Sequence, residues 1–171
     1  MNERSAIGGG GGGARRKGPI DVAVGIWHDL PADQRTAAKR DQLMKLWCSA
    51  ETQRLTNLRA AQRAKAGNPG PEGSIAKLMF AEINKDIYEL CVDLLGPAAL
   101  VDYDYTMRRS ENLGLVGGPG TSRKMFLRAR ANSIEGGTSE VQRNILGERI
   151  LGLPGEPRGD KDVPWKDVPR G

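Results

Sequence analysis

Residues 75 to 95 constrain the fold more than any other part of the chain. Ile75, Leu78, Met79, Ile83, Ile87, Leu90, Cys91, Leu94 and Leu95 recur at spacings of three and four over about five turns of helix. A stripe of that kind belongs to an amphipathic helix with one face that must leave water. Gly96-Pro97 stops it, because proline cannot extend the hydrogen-bond ladder and glycine accepts the left-handed turn that ends a helix. Gly67-Asn68-Pro69-Gly70-Pro71 divides it from an earlier helix, predicted over residues 33 to 66. That helix opens at Asp33, and Leu43, Leu46, Trp47, Ala50, Leu55, Leu58 and Ala61 form a drifting stripe along it. Two long helices joined by so short a connection pack antiparallel, and burying the second stripe contributes about 1.5 to 3 kcal/mol per large side chain.

The rest of the chain extends this hairpin. Ile20, Val22, Ala23, Ile26, Trp27 and Leu30 give a short helix over residues 19 to 30, with Pro19 in its first turn. Further helices are predicted over residues 122 to 131 and 139 to 151, with an irregular loop over residues 101 to 120. Aromatic residues are only 5% of the chain, and helix formers dominate the periodic segments, so the expected class is all-α, an up-and-down helical bundle. Its expected limits are residues 19 to 153. Residues 1 to 18 contain six consecutive glycines, Gly8 through Gly13, and read as a flexible segment. No apolar strand precedes those glycines and no Lys-Ser/Thr pair follows them, so they do not form a phosphate cradle. Residues 154 to 171, with Pro154, Pro157, Pro164 and Pro169, read as an extended tail.

A net charge of +5 suits a phosphate-rich partner. Basic residues are interleaved with acids, and no basic patch carries the aromatic side chains that stack bases, so nucleic acid is not expected. Cys48 and Cys91 are isolated from each other, and His28 is the only histidine, which argues against a disulfide scaffold, a metal site or a histidine-based catalyst. No apolar run approaches the roughly 20 residues of a membrane span, and the first residues lack the order of a signal peptide. A cytoplasmic protein without a metal is the expectation.

Residues 134 to 154 carry the most chemistry. Gly136-Gly137 is a flexible turn running into a helix, and Ser139 with Gln142 three residues later reads as a capping box. A turn without Cβ atoms before a helix start lets a ligand approach backbone donors, as an anion does at a helix N-terminus.

This run resembles the C-terminal signature of acyl-CoA dehydrogenases, in which a Glu-Gly-Thr turn and the helix after it face the flavin. Gly73-Ser74-Ile75-Ala76-Lys77-Leu78 and Leu94-Leu95-Gly96 are similar to the two ends of a long helix of that domain, and Asn2-Glu3-Arg4 is similar to the end of the helix before it. The resemblance covers residues 40 to 154. It implies FAD as cofactor, an acyl-CoA substrate, a homo- or hetero-oligomer of such subunits, and electron-transfer flavoprotein as acceptor. It implies flavin contacts from Arg4, Gly96, Gly136, Gly137, Thr138 and Glu140. Family members also carry an N-terminal helical domain and a middle β-domain, so the expectation is a shortened chain that holds flavin and acts as an enzyme only within a complete or mixed assembly.

The family's reaction removes a proton from the α-carbon of the acyl group with a carboxylate, while hydride leaves the β-carbon for the flavin. In many members the base is the glutamate directly before Gly-Thr. Here Gly136 holds that position and Glu135 stands one residue earlier, so Glu135 is the candidate base, displaced by about 3.8 Å along the chain. Members that take the base from the earlier helix place it after the arginine, where this chain has Ser5. Asp93 and Pro97 replace a glutamine and a glycine of the family around Gly96. The alternative is a non-catalytic helical partner subunit.

Overall fold

A computed structural model describes residues 18–67, 70, 72–101, 122–155 and 163–168. Every regular element among them is helical: α1 (Pro19–Asp29), α2 (Ala37–Lys65), α3 (Glu72–Leu95), α4 (Ser122–Ala129) and α5 (Ser139–Arg149). Short 3-10 turns cover Ala32–Gln34, Gly96–Leu100, Arg130–Ser133 and Trp165–Asp167. The expected all-α up-and-down bundle is what the chain forms. Arg4, the glycine run at residues 8 to 13, the loop at 102 to 121 and much of the tail lie outside the described residues.

Each helix end has a local cause. Pro19 sits in the first turn of α1, and the Asp21 carboxylate accepts from the Gly18 N–H at 3.1 Å. At the other end, the Arg35 guanidinium donates to the carbonyl oxygens of Leu30 and His28, at 2.9 and 2.6 Å. Helix α2 begins four residues later than Asp33. The Thr36 hydroxyl accepts from the Lys39 N–H, while residues 32 to 34 form a separate turn after Pro31. Between α2 and α3, Arg63 Nη1 donates to Glu72 Oε1 at 2.8 Å and closes the hairpin.

Helix α3 is the centre, packed against all four other helices. Its second half follows the predicted stripe: Ile87, Tyr88, Leu90, Cys91 and Leu94 are buried among Ala23, Ile26 and Leu30 of the α1 segment, Leu43 of α2, and Met125 and Ala129 of α4. Burial pushes the Cys91 thiol up to about 12, so it stays a neutral packing group. The first half of α3 departs from the stripe. Ile75, Leu78, Met79 and Ile83 are only partly buried, and the covered positions are Glu72, Ala76, Lys77, Ala81 and Asn84. Small side chains there let the Arg130–Ser133 turn and the diglycine segment come close, and Lys77 and Asn84 bond to the backbone and side chain that arrive.

Candidate functional site

The segment from Asn132 to Gln142 lies across the first half of α3, and its shape follows from its residues. Ile134 and Glu135 both donate their N–H to the Ala131 carbonyl at 2.9 Å, ending the turn. Gly136 and Gly137 then take φ of +64° and +96°, the left-handed region that a side chain resists. Gly137 is restricted a second time, because a Cβ placed on it would stand 2.7 Å from Gln142 Nε2. Thr138 caps α5, its hydroxyl accepting from the Val141 N–H at 3.2 Å. The cap is therefore Thr138 and not Ser139. Ser139 Oγ instead donates to Glu82 Oε1 of α3 at 2.7 Å, and Gln142 Nε2 donates to the Gly136 carbonyl at 3.3 Å. No reciprocal box forms, since both of its side chains are engaged elsewhere.

Beneath the bend is a buried polar cluster. Lys77, 6% exposed, donates from Nζ to the carbonyl oxygens of Asn132 at 2.9 Å and Gly137 at 2.6 Å. Asn84 Nδ2 donates to Asn132 Oδ1 at 2.7 Å, and Asn132 Nδ2 donates to Glu135 Oε1 at 2.9 Å. Arg128 Nη2 lies 3.0 Å from both Glu135 oxygens. Burial pushes the Lys77 ammonium below the ordinary lysine range, opposed by the negative charges of Glu135, Glu82 and Glu140.

Acidic groups surround the start of α5. The Glu140 carboxylate is held below the ordinary range by its own backbone N–H and then by the Thr138 hydroxyl. Hydrogen bonds from Lys85 and then from Ser139 do the same for Glu82. The positive end of α5 is thus met by the chain's own carboxylates, which are themselves accompanied by Lys85 and Arg143. Gly136 and Glu140 are exposed, and Gly137 and Thr138 are half-exposed, so the bend is open on its outer side.

Of the residues singled out in the sequence, Glu135, Gly136, Gly137, Thr138 and Glu140 come together here. Gly96 does not. It ends α3 with φ +61°, nineteen residues beyond Lys77, or about 28 Å along the helix axis. Lys77, Asn84, Asn132 and Arg128 were not among those residues, although the sevenfold spacing of Lys77, Asn84 and Cys91 on one helix face gave a signal for the first two.

The comparisons agree with this geometry. The family profile described as "Acyl-CoA dehydrogenase, C-terminal domain" matches residues 1–151. Acyl-CoA dehydrogenase IpdE1 of Mycobacterium tuberculosis is 30% identical over 131 residues, covering 74% of this chain and 31% of that protein. Acyl-CoA dehydrogenase FadE26 of the same organism is 32% identical over 116 residues, 66% of this chain and 27% of its own length. The chain thus spans less than a third of the length of these relatives. A match over most of the sequence, on a helical bundle that holds the diglycine bend open at its surface, establishes that this chain belongs to the acyl-CoA dehydrogenase family, as a C-terminal domain.

Proposed function

We propose that the chain is the C-terminal helical domain of an FAD-dependent acyl-CoA dehydrogenase, supplying one wall of the flavin site and part of a subunit interface, with the remaining site provided by other domains or another chain. One observation carries this reading: the Gly136–Gly137–Thr138 backbone is open to the outside and fixed from behind by Lys77 and Gln142. A rigid backbone edge free of side chains can meet a planar ring closely. With no Cβ in the way, an uncharged ring edge can approach the bend.

Bound FAD would supply the hydride acceptor. The chain's own residues would orient it: Gly136 and Gly137 by close approach, and Thr138 through its backbone, since its hydroxyl already serves Val141 and Glu140. Arg4 and Gly96 remain proposed contacts away from the bend, the first outside the described residues. Glu135 is the proposed base. At rest its oxygens are committed to Arg128 and Asn132, so taking a proton requires the ion pair to open. With the Glu135 side chain 40% exposed, that costs about 1 kcal/mol or less. The alternative, a non-catalytic partner subunit, is favoured by the same ion pair if it stays closed.

Co-purification with the product of the adjacent gene tests the assignment. A complex carrying the flavin absorption band, which loses turnover but not colour on Glu135→Gln, is the expected result. Unchanged turnover in that variant transfers the base to another chain and leaves the partner-subunit reading. A colourless complex removes the flavin wall altogether.

A further inference from the structure

The polar cluster under the bend does something that helix packing alone does not require. A lysine on the covered face of a helix costs free energy unless its donors are answered, and Lys77 is answered by two backbone carbonyls that lie 55 and 60 residues away in the chain. One carbonyl precedes the diglycine and the other belongs to its second residue. The ammonium therefore spans the bend, tying both sides to α3 through a single atom. Asn84, two turns further along α3, holds the Asn132 side chain from the same side at 2.7 Å. Two glycines in succession would otherwise leave this segment free to take other backbone conformations.

We propose that Lys77 is a positioning residue: it sets the direction in which the Gly136–Thr138 backbone faces outward, and thereby the approach of the neutral ring that this face receives. The second half of that statement rests on the proposed flavin wall; the first does not. A methionine could fill the same volume, so the amino group is there for its donors. The charged groups around it are Glu135 and Glu140 on the bend and on α5, and Glu82 and Lys85 on α3. Carboxylates on both flanking elements keep the ammonium compensated in its covered position. A neutral amine would still donate to the two carbonyls, so the clamp does not depend on charge.

The test is amide hydrogen exchange on the full chain, comparing wild type with Lys77→Met. Loss of the clamp should speed exchange at the Glu135, Val141 and Gln142 amides on the order of tenfold, beyond any change at the Leu90 and Cys91 amides, which report the stability of the whole bundle. A rise that is equal at all of these positions overturns the proposal, since it would show only a general loss of stability. If Lys77→Met does not fold, the wild-type chain still decides: scalar couplings from the Lys77 Nζ to the carbonyl carbons of Asn132 and Gly137 are expected, and their absence overturns the clamp. In a flavin-bearing complex, Lys77→Met should also weaken flavin retention. An assembly that never binds flavin refutes the proposed function and leaves the exchange result to judge Lys77 by itself.

Discussion

Gly137 carries two independent restrictions, a backbone angle of φ +96° and the Gln142 amide 2.7 Å from where a Cβ would stand. Gly137→Ala should therefore destabilise the domain by about 1 to 3 kcal/mol, read as a lower urea midpoint. In a double-mutant cycle, Gly137→Ala should cost less in a Gln142→Ala background by the part due to the contact, and a remaining cost reports the strained angle; no remaining cost would show that the angle costs nothing. The diglycine itself was legible, since two adjacent glycines before a helix start favour a turn with positive φ. Its supports were not. Lys77 shares a helix face with Asn84 and Cys91 by spacing, but only the arrival of two carbonyls from far along the chain explains its burial. Glu72 behaves similarly, as a nearly buried carboxylate joined to Arg63. Its own backbone N–H, and then Arg63, hold it below the ordinary value of 4.5. A depressed folded value means that its contribution is fully present above the unfolded value and is lost as pH falls through the folded one. Acid unfolding below about pH 4.5 should accordingly flatten in Arg63→Ala, and an unaltered acid limb would show that the staple is not responsible.

Among the helices, agreement between sequence and structure follows how local each signal is. The proline in the first turn of α1 and the Gly-Pro stop after α3 depend on neighbours a few residues away, and both stand as read. The start of α2 and the cap of α5 were misplaced, each because a nearby polar residue competes for the role. Asp33 is drawn into its own turn behind Pro31, which leaves Thr36 to cap α2. Ser139 is taken by Glu82, a partner 57 residues distant, and Thr138 caps in its place. The two hydroxyls therefore have separable roles. Thr138→Ala should cost about 1 kcal/mol and loosen the first turn of α5, whereas Thr138→Ser should cost only a few tenths. Ser139→Ala leaves the cap in place and should instead free Glu82, raising the pH at which that carboxylate titrates, measured by carboxyl carbon shifts. Equal effects of both alanine variants on α5 would mean that the cap is shared.

For the whole domain, the balance between covered and uncovered apolar surface matters most. Helix α3 packs against all four other helices, while α2 buries only Leu43 completely. Met44, Leu55 and Leu58 stand 38% to 51% exposed, and positions 11 and 14 residues apart return to one side of a helix, so they form a single stripe turned outward. A second uncovered group, Ile134, Val141, Ile150 and Leu151, runs along the bend and α5. The drift noted in the α2 pattern thus has a physical meaning: the helix has two apolar directions, one toward α3 and one away from it. Lone exposed leucines need no explanation, whereas an aligned set is a surface of the kind that a partner can cover. If another copy of this chain covers it, the thermal midpoint should rise on the order of 2 to 5 °C for each tenfold increase in protein concentration. Leu55→Glu should abolish that dependence while leaving the dilute midpoint nearly unchanged, because the residue is outside the core. A midpoint independent of concentration in the wild type would exclude self-association and assign the stripe to a different domain or chain, where protection of α2 amides on complex formation would reveal it.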